Sequence, residues 1–142
     1  MLKRVLAQST PATFRLFLAF NFLIYGVAKL TFGQFGEPTA DLAALRGQGF
    51  TVAWTFFGYS RTYEIFIGLG EVIAAILIAI PRTSTLGAMI YFPIALNVMA
   101  VNYCYDIGVQ DLSTVLTLMC VVLLWLDRRK FIPLVAGRGI RE

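Results

Sequence analysis

The apolar run Tyr63 to Ile80 carries two carboxylates, Glu64 and Glu71, inside a segment of membrane-spanning length. A carboxylate near the centre of a helix in hydrocarbon costs roughly 2.5–3.5 kcal/mol, so Glu71 must face protein or water, find a cation, or hold a proton. Glu64, Gly68 and Glu71 stand at i, i+4 and i+7, which at about 100° per residue places them on one stripe. That stripe is expected to face the inside of a helix bundle.

The rest of the chain supplies the bundle. Of 142 residues 58% are hydrophobic and 14% are charged, against about 25% charged in ordinary soluble domains. This reads as one integral membrane domain of all-α class, with no linker and no internal repeat. Four apolar runs are expected to cross: Ala12 to Phe32, Thr62 to Ile80, Ser84 to Tyr103 and Asp111 to Leu126. The third contains Pro93. The basic start Met-Leu-Lys-Arg-Val-Leu is followed by an apolar run that includes Arg15 and Lys29, so it reads as a retained first span and not as a signal peptide.

Lysine and arginine near span ends set the expected orientation. Lys3 and Arg4, then Arg82, then Arg128, Arg129, Lys130, Arg138 and Arg141 fall on one side, which puts both termini in the cytoplasm. The net charge of +4 therefore reports topology; it does not mark a nucleic-acid surface.

Between the first and second spans lies a long outer connection, Gly33 to Arg61. A threonine ahead of Asp41 is placed to cap a short helix and Gly47 to stop it. Phe50 to Tyr59 is apolar and aromatic but too short to cross. It reads either as an interfacial belt anchoring the second span or as a re-entrant lid over the bundle mouth, with Trp54, Phe56 and Phe57 above a pocket. The tail after Pro133 reads as loose.

A rise of about 1.5 Å per residue puts Lys29 level with Glu64 in the outer quarter and Asn21 level with Glu71 near the middle. Lys29 is the favoured ion-pair partner for one of the two acids. Arg15, Asn21, Phe22, Tyr25 and Lys29 share about a third of the first helix's circumference, and Arg15 reads as a snorkelling edge residue. The third span ends in Asn97 and then Asn102-Tyr103-Cys104-Tyr105-Asp106, where Asn102 and Asp106 share a face by i, i+4 spacing. The expected site is thus Lys29, Glu64, Glu71, Asn102, Tyr103 and Asp106, supported by Arg15, Asn21, Tyr25 and Asn97. The competing reading makes the amides interhelical ties.

With no histidine and two distant cysteines, Cys104 and Cys120, no metal site is expected. No nucleophile stands beside an activating base and no glycine loop cradles phosphate, so a stand-alone enzyme is not indicated. Gly26, Gly68, Gly70 and Gly87 are expected to allow close helix approach.

Arg15, Asn21-Phe-Leu-Ile-Tyr-Gly-Val-Ala-Lys29, Gly58-Tyr-Ser-Arg-Thr-Tyr-Glu-Ile-Phe-Ile-Gly-Leu-Gly-Glu71, Pro81-Arg82-Thr-Ser-Thr-Leu-Gly87, Asn97 and Asn102-Tyr-Cys-Tyr-Asp106 together resemble the DoxX-like family of small four-helix membrane proteins. The resemblance implies four transmembrane helices in a bacterial inner membrane and a link to quinone-dependent redox complexes. The leading expectation is an accessory subunit of a membrane redox or envelope system with an outer pocket for a quinone or lipid, working in a membrane complex or homodimer. A small-solute or proton-coupled transporter and a purely structural membrane partner are the alternatives.

Overall fold

The computed structural model describes residues 2–130, with side chains described from residue 11 onward. Its regular elements are all α-helices: α1 Leu2–Thr31, α2 Ala40–Gly58, α3 Arg61–Ala79, α4 Ser84–Cys104 and α5 Gln110–Leu126. The basic side chains of Lys3, Arg4, Arg138 and Arg141 and the tail after Pro133 lie outside the described part.

Local chemistry marks the boundaries. Ser60 Oγ accepts from the Tyr63 N–H at 3.3 Å and starts α3. Thr83 closes the tight turn into α4, its hydroxyl donating to the Leu77 carbonyl at 2.9 Å. Thr39 caps α2 through the Leu42 N–H, and Gly47, with φ 88° and ψ 177°, breaks that helix in two. Both outcomes match the threonine cap and glycine stop read from the sequence.

Among the described residues, three helices are long and apolar enough to cross a membrane: α1 over Pro11–Thr31, α3 and α4. The chain is an integral membrane protein. The helix α5 is apolar but shorter, at 17 residues. Large apolar side chains such as Phe20, Phe66, Leu118 and Trp125 are more than half exposed, the inverse of a water-soluble surface. Four of the helices close on one another in the order α1, α3, α4, α5 and back to α1, while α2 lies against α3. The carboxyl end of α1, the amino end of α3 and the α4–α5 turn share the end of the bundle where α2 sits.

Two cores result. The larger is built from Leu18, Ala74, Ala75, Ile78, Ala88, Tyr91, Ala95 and Cys120, all essentially buried. Small residues there let backbones approach, and polar side chains tie them: Thr117 donates to the Ala95 carbonyl at 3.2 Å and Cys120 to that of Ala88 at 3.4 Å. The smaller core, Phe50, Ala53 and Ile107 with Trp54 and Val101, seats α2 on the α4–α5 turn. Arg46 fastens the contact by donating to the Ile107 carbonyl at 2.6 Å.

One expected geometry does not form. The helix α4 ends at Cys104 and Asp106 turns out of it with φ 49°, so Asn102 and Asp106 do not share a helical face. Asn102 is buried and Asp106 exposed.

Candidate functional site

Lys29 and Glu71 meet because α1 and α3 touch through glycine. A Cβ on Gly26 would lie 3.0 Å from the Gly68 carbonyl, and one on Gly68 would lie 2.9 Å from the Gly26 carbonyl and from Lys29 Cβ. At that separation the lysine stem runs along α3, and Nζ reaches Glu71 Oε2 at 2.8 Å and Oε1 at 3.0 Å. A third, longer bond of 3.5 Å goes to the Tyr25 carbonyl. Both side chains are at most 5% exposed. The ammonium lies 5.4 Å from the centre of the Phe35 ring and 5.8 Å from that of Tyr25. All three ammonium protons and both carboxylate oxygens are engaged, so the buried pair is electrically neutral and internally satisfied.

This pairing revises the depth arithmetic. Lys29 does not meet Glu64 at its own level; its four-carbon stem carries the charge back to Glu71. Asn21, expected opposite Glu71, instead donates to the Phe17 carbonyl of its own helix at 2.9 Å.

Glu64 has a separate employment. Its carboxylate pairs with Arg61 at 2.7 Å and accepts from the backbone N–H groups of Gln34 and Phe35, the latter at 3.0 Å. Arg61 in turn donates to the terminal α1 carbonyls of Lys29 at 2.6 Å and Leu30 at 2.9 Å. Helix ends leave such carbonyls without intrahelical partners, and a cation there also complements the helix dipole. Arg61 and Glu64 thus clamp the loop that carries Phe35 over Lys29.

Behind this loop lies a cavity of about 670 Å³. Its walls come from α1 (Phe22, Tyr25, Lys29), α3 (Phe66 to Glu71), α4 (Ile94 to Asn102) and α5 (Leu112 to Leu116). Trp54 and Phe57 of α2 cover it beside Phe35, each 5.2 Å from the Phe35 ring centre to centre. The aromatic segment therefore roofs a cavity; Phe56 points elsewhere, toward an outer groove with Tyr59 and Tyr63. Within the lining, Gln34 carries a buried side-chain oxygen with no hydrogen-bond partner among the described residues.

Of the residues expected at the site, Lys29, Glu71 and Asn102 line the cavity, as do the supporting Tyr25 and Asn97. Asn102 spends its amide on the turn, donating to the Val98 carbonyl at 2.8 Å and accepting from the Val109 N–H at 3.3 Å. Glu64 sits in the clamp. Tyr103 is exposed and shares a 3.0 Å hydrogen bond with Thr114, and exposed Asp106 accepts from Gln110 at 2.8 Å. Arg15 is near Asp127 at the far end of the bundle.

Asp127 lies just past α5. Burial pushes its carboxyl up, but hydrogen bonds from Lys130 at 2.6 Å and Thr85 at 2.8 Å, with the charges of Lys130 and Arg15, outweigh this and hold it below the usual aspartate range.

Sequence reasoning missed Gln34 and the capping role of Arg61. Gln34 carried no signal, being a polar residue in a loop. Arg61 did carry one, the i, i+3 spacing to Glu64 at a helix start.

The cavity's chemistry is that of recognition. Aromatic and aliphatic walls suit a hydrocarbon or ring, the neutral ion pair a polar group without net charge, and Gln34 a hydrogen-bonding head. Against known proteins, the chain is 62% identical over 130 residues to the uncharacterized protein YwoB of Bacillus subtilis (strain 168), an overlap of 92% of this chain and 84% of that protein. No family model and no solved structure matches the chain.

Proposed function

We propose that this chain, which belongs to the same family as YwoB of Bacillus subtilis, is an amphiphile-binding accessory subunit of a membrane redox or envelope system. The bound molecule is quinone-like or lipid-like. The observation that carries this reading is the 670 Å³ cavity whose apolar wall holds a buried, self-satisfied Lys29–Glu71 pair beside the unpartnered Gln34 oxygen. Cavities of roughly 300–1,000 Å³ with a few convergent polar groups are the usual form of small-molecule sites. Intramembrane charges are rare and are kept where they serve a site.

The topology belongs to the same proposal. A helix of 17 residues is about 26 Å long, close to the hydrocarbon thickness, so α5 serves as the fourth span of a four-helix bundle. Both termini then face the cytoplasm of a bacterial inner membrane, and α2 lies at the outer interface over the cavity. Membership of the DoxX-like family is part of this reading and rests on the order of Arg15, Lys29, Glu64, Glu71 and the Asn102 to Asp106 end.

The test is gentle isolation from native membranes through a tag at the carboxyl terminus, with mass spectrometry of co-purifying proteins and small molecules and Glu71→Gln in parallel. The proposal expects an amphiphile near one per chain, together with membrane partners, and loss of the amphiphile from Glu71→Gln. A chain that comes down alone and empty in both forms would overturn it.

A further inference from the structure

Nearly all of the cavity-lining residues that are also exposed lie on α3 or α4, with Val109, just ahead of α5, the exception. On α3, Phe66, Leu69 and Ile73 fall at i, i+3 and i+7; on α4, Pro93 and Asn97 fall at i and i+4. Each set is one stripe, and the two stripes border the same cleft. The lining residues of α1 and α5 are by contrast buried or half-buried. Between α3 and α4 the wall is thin for a specific reason: a Cβ on Gly70 would meet only Ile94 Cδ1, at 3.5 Å, in ordinary contact.

We infer that the cavity is loaded sideways from the bilayer through the α3–α4 cleft, by an amphiphile with an uncharged head that donates a hydroxyl hydrogen bond. This rests on the binding reading above. The cleft lies within two helices that are each long and apolar enough to cross the membrane, so what stands outside it is hydrocarbon. Asn97 is an exposed amide on its rim, a costly residue to set against lipid and a fitting one where a polar head must pass. The head is uncharged because Lys29 and Glu71 already neutralise each other, as do Arg61 and Glu64. A formal charge entering there would be buried without a counter-ion. The head donates because the unmatched atom waiting for it, Gln34 Oε1, is an acceptor. The chain of such a molecule can remain in the cleft between Phe66, Leu69 and Ile73, partly in the bilayer. A diacylglycerol and an isoprenoid quinol share this chemistry.

The experiment uses the full chain in phosphatidylglycerol vesicles with a trace of a probe bearing a diazirine in its chain, followed by irradiation and peptide mapping. Three probes are compared: a diacylglycerol, an isoprenoid quinol, and the methyl ether of the same diacylglycerol, which is equally uncharged but has no donor on its head. The expected result is adducts on the buried residues Phe22 and Leu116 from one of the hydroxyl-bearing probes, which identifies the source. The methyl ether should give about tenfold fewer, the loss expected when a buried acceptor is left unmatched. Gly70→Leu, which fills the cleft, should abolish those internal adducts while its melting temperature in lipid nanodiscs stays at that of the unmodified chain, which reports an intact fold. Gly70→Ala should behave as the unmodified chain. Internal adducts that survive Gly70→Leu would overturn the lateral route and leave binding in place. Equal labelling by the methyl ether would overturn the donor-head requirement. No internal adducts from any probe, with an empty native isolate, would overturn this inference and the binding reading together.

Discussion

The two ends of the bundle are packed by opposite rules. Toward the α3–α4 turn, alanines, Ile78, Leu18 and Cys120 fill the space completely and the polar groups of Thr117 and Cys120 are used to tie helices. Toward α2, Phe22, Phe35, Trp54 and Phe57 stand around a 670 Å³ void, and the polar groups there include the Lys29–Glu71 pair, the Gln34 amide, Asn97 and Asn102. Tyr91 marks the border, stacked on Phe22 with ring centres 3.5 Å apart. Helix association in lipid depends on close packing more than on expulsion of water, so a void of this size forfeits contact energy. On the reading proposed above, an amphiphile seated in the hollow end restores those contacts.

The largest effect that can break this comparison is on the pair itself. Lys29→Met leaves Glu71 buried without its cation and should cost about 3–5 kcal/mol, read as a fall in melting temperature in lipid nanodiscs. Lys29→Met with Glu71→Leu should recover most of it. A silent single substitution would mean that the pair is not buried. Next, Ile78→Ala in the solid end should cost about 2–5 kcal/mol. Val98→Ala, which only enlarges an existing void, should cost well under that; equal costs would mean that the cavity is filled by collapse. Glu64→Ala should cost about 1–3 kcal/mol by stripping the acceptor from the Gln34 and Phe35 amides, with faster hydrogen exchange at those two residues.

The smallest effect belongs to the solid end. Because the Asp127 carboxyl titrates below its ordinary value in the folded chain, its contribution is present above the unfolded value of about 3.9 and is lost as pH falls through the lower folded one. Asp127→Asn should therefore lower stability by roughly 0.2–1 kcal/mol at neutral pH, the range of screened pairs. The difference from the unmodified chain should vanish at strongly acid pH.

What could be read in advance follows the range of the physics. Thr39 and Gly47 act within a turn of themselves, and the start of α2 and its break were legible from them. Glu71's need for a cation was legible from the cost of a bare carboxylate. Which cation, at which height, depended on the register of α1 against α3, and that is set by the Gly26–Gly68 contact between helices far apart in sequence. The lysine stem adds a further turn of reach that a count of rises ignores. Asn102 and Asp106 looked paired because the helix was carried one turn too far; a positive φ at Asp106 ends that pairing. Gln34 was invisible because a loop glutamine acquires meaning only from the emptiness beside it.

The chain has two tryptophans, and they sit one in each region: Trp54 on the cavity wall and Trp125 exposed at the far end of α5. The most direct measurement is fluorescence quenching by a diacylglycerol with a brominated chain, titrated into phosphatidylglycerol vesicles that hold either Trp125→Phe or Trp54→Phe. Trp54 should be quenched along a saturating curve approaching one probe per chain, and Val98→Phe, which fills the cavity, should abolish the saturation. Trp125 should be quenched in simple proportion to probe density. Proportional quenching of both tryptophans, by this probe and by an isoprenoid quinol with a brominated chain alike, would contradict the claim that the hollow end is a binding site.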